Sequence, residues 1–96
     1  MKEGKTKRID EVVEQVLKGL GLYNQYKEQE VYSVWPEVVG GMIASRTRKM
    51  EVVNGKLFVS FTSAVVKNEI MMVKEGLVKS LNNRIGRDVI KELIIR

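Results

Sequence analysis

The residues able to carry chemistry are narrowly chosen. The chain has no His and no Cys, so it has no imidazole base, no thiolate nucleophile and no nitrogen or sulfur metal ligand. Zinc chemistry and the usual nucleophile–base triads are excluded. Among carboxylates, Asp10, Glu11 and Glu14 sit closest together, and their place at the start of an apolar-periodic segment suits the positive end of a helix dipole better than an acid–base pair. A nuclease would need several carboxylates around a metal, and only two Asp occur. No phosphate-cradling P-loop is present. The sequence implies no enzyme, no cofactor and no small-molecule substrate.

The abundant reactive groups are cations. Of 96 residues, 17 are Lys or Arg and 12 Asp or Glu, for a net charge of +5. They are unevenly placed: residues 1–9 carry a net +3, residues 10–45 a net −4 and residues 46–96 a net +6. A polyanion is the partner that such a surface attracts. The candidate phosphate contacts are Lys5, Lys7 and Arg8 at the start, Arg46, Arg48 and Lys49 in the middle, Lys56 beyond them, and Arg84 and Arg87 near the end. Phe58 is the aromatic best placed to stack on a base.

The elements that position these groups follow from periodicity and punctuation. Residues 1–8 are expected to form a flexible basic arm, and residues 9–96 a single domain. A first helix is predicted from Ile9 or Asp10 to Leu20, with Ile9, Val13, Val16, Leu17 and Leu20 on its core face and Gly21 ending it. The segment "LYNQYKEQE" reads as a second helix leading into "VYSVWPEVVGGMIASRT". Pro36 predicts a break at Trp35 and a short helix from Pro36 to Ala44. Gly40 and Gly41 would suit close approach of another backbone.

"TRKMEVV" and "KLFVSFT" flank Asn54-Gly55, the pair favoured by a two-residue type I′ hairpin turn. The register then pairs Val53 with Lys56, Val52 with Leu57, Met50 with Val59 and Arg48 with Phe61 on the core side. Glu51 pairs with Phe58, Lys49 with Ser60 and Thr47 with Thr62, grouping Lys49, Lys56 and Phe58 on the other face. From Ser63, an N-cap, one long helix is predicted to Asn83 with Val66, Ile70, Val73, Leu77 and Leu81 inward. Gly86 ends it, and "VIKELII" reads as a closing strand. The class is α+β, order α-α-β-β-α-β, with helices packed on one face of a three-stranded sheet.

"WPEVVG", "IASRT", "NGKLFVSFTSAVV", "KNEI" and "LN…IGRDVIKELIIR" together resemble the DciA family, once known only as a domain of unknown function. The resemblance covers Ile9 to Arg96. It implies a KH-like fold, with Trp35 and Gly40 belonging to that fold, and a bacterial protein that recruits or loads the replicative helicase and binds single-stranded or branched DNA. No Gly-x-x-Gly loop of the nucleic-acid-clamping KH type occurs. The expected function is a non-enzymatic nucleic-acid-binding accessory of DNA replication, with DNA or RNA and the replicative helicase as partners. The alternative is a module that docks on a replication protein without touching nucleic acid. No membrane span and no signal peptide is legible, so a cytoplasmic location is expected.

Overall fold

The structure is a computed structural model; it describes residues 2–96, with side chains from residue 11 onward. The backbone of residues 2–8, expected as an arm ahead of a helix starting at Ile9 or Asp10, belongs to one helix over Lys2–Gly19, and the side chains there lie outside the described ones. Strand β1 (Thr47–Val53) turns through Asn54-Gly55 into β2 (Lys56–Phe61). Asn54 and Gly55 have φ of 51° and 81°, the left-handed values that the turn requires. β3 (Glu92–Ile95) adds parallel to β2, so the sheet order is β1-β2-β3. A parallel partner needs a crossover, and the helices between β2 and β3 supply it.

The hairpin register follows the prediction from Val53–Lys56 to Lys49–Ser60 and then departs from it. Thr47 pairs with Phe61, because a bulge absorbs Arg48. The expected Arg48–Phe61 and Thr47–Thr62 pairs do not form. The reason lies in the core. Thr47 Oγ1 accepts a hydrogen bond from Trp35 Nε1 at 3.0 Å and donates to the Ile43 carbonyl at 2.9 Å. An unbroken register would put a guanidinium beside Phe61, where charge is costly to bury. The bulge leaves Arg48 exposed instead.

Helices α1 (Lys2–Gly19), α2 (Tyr23–Glu28), α3 (Glu30–Val39) and α4 (Gly41–Ser45) precede the sheet. The break expected at Trp35 is absent, and α3 runs through Pro36. Pro36 and Tyr32, whose carbonyl lies one turn earlier, are both exposed, so water can satisfy the carbonyl that Pro36 cannot. The chain breaks at Gly40, with φ 89° and ψ 162°. A Cβ on Gly40 or Gly41 would meet nothing within 4 Å, so backbone conformation explains Gly40, and the expected close approach of a second backbone does not occur.

The single long helix after Ser63 is two, α5 (Ala64–Met72) and α6 (Lys74–Ile85). Ser63 caps α5 as predicted, its Oγ accepting from Val66 N–H. Val73 leaves the helical region at φ −118° and lies exposed, not inward. Val66 and Ile70 thus pack from α5, which meets β2, and Leu77, Leu81 and Ile85 from α6, which meets β3 and α3.

The core joins Val31 and Trp35 of α3 to these residues and to Leu57, Val59 and Leu93 of the sheet. All lie on one sheet face. Burying each such Leu or Val side chain stabilises the fold by roughly 1.5–3 kcal/mol. The first helix does not join them. Val13, Val16 and Leu20 are exposed and Leu17 is half-buried, contrary to their predicted core role; Ile9 lies outside the described side chains. With α3, α5 and α6 already covering the inner sheet face, α1 packs on α2.

Candidate nucleic-acid interface

Alternation along β2 sends Leu57 and Val59 inward and Lys56, Phe58 and Ser60 to the uncovered face. The neighbours of Phe58 are Glu51 on β1 and Ile94 on β3. Lys49 stands opposite Ser60, and the Arg96 guanidinium lies 4.1 Å from the centre of the Phe58 ring. Lys49, Glu51, Phe58, Ser60 and Arg96 line a depression of only about 20 Å³. That is a surface to lie across, too small to enclose a ligand.

The start of β1 and the ends of β2 and β3 share one end of the sheet. Arg46, Arg48, Lys49 and Arg96 therefore gather there, all exposed. Among the described residues none of the four has a carboxylate oxygen within 4 Å. The Arg46 carbonyl, by contrast, is used structurally, accepting Thr62 N–H at 2.8 Å. Lys56 belongs to the same face, but at the turn end, about 13 Å along β2 from the Lys49–Ser60 pair.

The remaining candidates lie elsewhere. Arg84 is ion-paired with Glu37 of α3. Arg87 donates from Nε to Asn24 Oδ1 at 2.9 Å and lies 4.7 Å over the Tyr23 ring. Lys18 and Lys27 approach the same ring, making Tyr23 a structural hub between α1, α2 and the end of α6. Burial pulls the Lys27 ammonium down, but the hydrogen bond and charge of Glu30 outweigh it, and its pKa is raised. Lys5, Lys7 and Arg8 lie outside the described side chains. Arg96 is the residue that sequence reasoning missed. Its signal was the alternation Glu92, Ile94, Arg96, which becomes informative only once β3 is known to run parallel beside Phe58.

Among the described residues no group of three or more Asp or Glu could hold a metal ion, and no helix is long and apolar enough to cross a membrane. A family model described as "Dna[CI] antecedent, DciA" matches residues 8–95. The chain belongs to the DciA family. No curated protein and no solved structure matches it. DciA is a family of helicase loaders, and membership places this chain with DNA replication and the replicative helicase. In this DciA chain four exposed cations gather beside Phe58 at one end of the sheet.

Proposed function

We propose that this DciA chain is a non-enzymatic accessory that lays single-stranded or branched DNA across its open sheet face while recruiting the replicative helicase in the cytoplasm. The observation that carries this reading is the cluster of Arg46, Arg48, Lys49 and Arg96, free of ion pairs among the described residues, beside Phe58. Phosphates would track the cations and a base would stack at Phe58, giving affinity with little sequence preference. The element order, with its parallel β2–β3 pair, supports the KH-like fold that the family implies. Lys56 extends the track, Lys5, Lys7 and Arg8 add long-range attraction, and Arg84 and Arg87 contribute less because they are engaged within the fold.

Fluorescence anisotropy with labelled single strands, duplex, fork and RNA across a salt series tests it. Lys49→Ala and Arg96→Ala are expected to weaken single-strand binding and to shallow the log–log salt slope by about 0.7 for each phosphate no longer neutralised. Phe58→Ala should lose about 1–3 kcal/mol with the slope unchanged. No binding at low salt would sink the proposal. The second reading, docking without nucleic-acid contact, draws on one observation: Met71, Met72 and Val73 form an exposed apolar knuckle where α5 meets α6, with Met72 80% exposed. Binding of purified replicative helicase that Met72→Glu abolishes, with no DNA binding, would favour it.

A further inference from the structure

Arg96 reaches the open sheet face from the end of β3. Its backbone N–H donates to the Val59 carbonyl at 2.9 Å, which continues the register that pairs Phe58 with Ile94 and Val59 with Ile95. Alternation then sets Arg96 on the same face as Ile94, one diagonal step from Phe58 and within reach of a long side chain. The guanidinium closes that step, with Cζ 4.1 Å from the centre of the ring, in stacking contact.

A carboxylate stands nearby unused. Glu51, the cross-strand neighbour of Phe58, lines the same depression as Arg96, yet among the described residues no ion pair within 4 Å joins the two. A guanidinium held by a carboxylate spends its N–H fork on that partner. One held by a ring spends a single planar face. Arg96 is exposed, so its second face and its N–H edge stay open to a ligand.

The ring is placed the other way. Phe58 is half-buried and lies under Arg96, and the depression beside it, about 20 Å³, offers about the room of one water molecule. No base fits there. The flat surface that a base can reach is the outer face of the Arg96 guanidinium, and arginine planes stack on splayed bases as aromatic rings do.

We propose that a base of the bound strand stacks on the Arg96 guanidinium, with Phe58 beneath it as support, in a layered arrangement that already stands in the free protein. The inference rests on the DNA-binding reading above and names the contact within it. The N–H edge of the same guanidinium remains for a neighbouring phosphate, so Arg96 must supply both a charge and a plane. Lys49 need supply only a charge.

Anisotropy with two labelled single strands of equal length, one of thymidine nucleotides and one abasic throughout, separates the two requirements. The wild-type chain is expected to bind the thymidine strand about tenfold more tightly, with equal salt slopes for both. Arg96→Lys keeps the charge and removes the plane, and should bring the two affinities together. Lys49→Ala should weaken both strands alike and leave the preference intact. If Arg96→Lys retains the preference, the base stacks elsewhere, and the proposal falls while the DNA-binding reading stands. A wild-type chain that binds both strands equally also overturns it, and binding to neither at low salt overturns the reading as well. In the chain alone, nuclear magnetic resonance should find the Arg96 Hδ protons shifted upfield by the ring current of Phe58, and Phe58→Leu should abolish the shift. An unshifted Arg96 in the wild type would refute the preformed stack.

Discussion

Asn82 is 8% exposed, yet it is polar and sits on the inward side of α6. Its Oδ1 accepts Val89 N–H at 3.0 Å and Ile90 N–H at 2.8 Å, while its Nδ2 donates to the Ile90 carbonyl at 2.9 Å. One side chain thus stands in for the strand partner that residues 89–90 lack, and it delivers the chain into β3. Val89 N–H also donates to the Arg87 carbonyl at 2.9 Å, so Asn82→Ala would leave the N–H and carbonyl of Ile90 unpaired inside and should lower stability by about 2–4 kcal/mol. Exposed Asn83→Ala should stay within about 0.5 kcal/mol. Urea unfolding of the two variants checks the contrast. Glu28 acts similarly at the hairpin tip, where its buried carboxylate accepts Gly55 N–H at 2.7 Å. Neither role was legible in the sequence, because each partner is fixed by the tertiary fold and not by local spacing.

Among elements, the hairpin was legible because its turn chemistry is local: Asn54-Gly55 sets positive φ, and register follows from counting outward. The count failed at Arg48, where the Trp35–Thr47 hydrogen bond and a charge to be kept out of the core select a bulge. The helix boundaries were read less well, since Pro36 and Val73 act through the side of the helix they occupy. Pro36 is tolerated because it faces water, whereas the α5–α6 break lets one apolar stripe meet β2 and the next meet β3. The sheet face of the candidate interface was foreseen through Lys49, Lys56 and Phe58; Arg96 needed the β3 register. The Gly40-Gly41 pair gives a test at this scale. Gly40, at φ 89° and ψ 162°, occupies a region nearly closed to other residues, whereas Gly41 has an ordinary helical place with open space around its Cα. Gly40→Ala should cost about 1–3 kcal/mol, and Gly41→Ala should be stabilising by about 0.4–1 kcal/mol. Thermal melts that showed equal losses at both sites would mean that close packing, and not backbone conformation, governs this junction.

For the whole molecule, the radius of gyration is 15.4 Å, with principal extents of 49 × 27 × 20 Å. A compact domain of this length would have a radius near 12–13 Å, and the difference comes from α1, which extends from the body with Val12, Val16 and Leu20 exposed. Stability is therefore distributed unequally. The amides of Leu57, Val59 and Leu81 belong to fully buried residues shared by strand, crossover and α3, and they can open only when the core does. Those of Val12 to Val16 depend on a helix whose described residues pack chiefly on α2, and a helix with so little tertiary support is marginal in water. Native-state hydrogen exchange should accordingly find the α1 amides exchanging at least about 100-fold faster than those of β2 and α6, with the latter tracking global unfolding. Protection of α1 equal to that of β2 would contradict this distribution, because it would require the exposed stripe to be covered in solution by a surface that one copy of the chain does not provide.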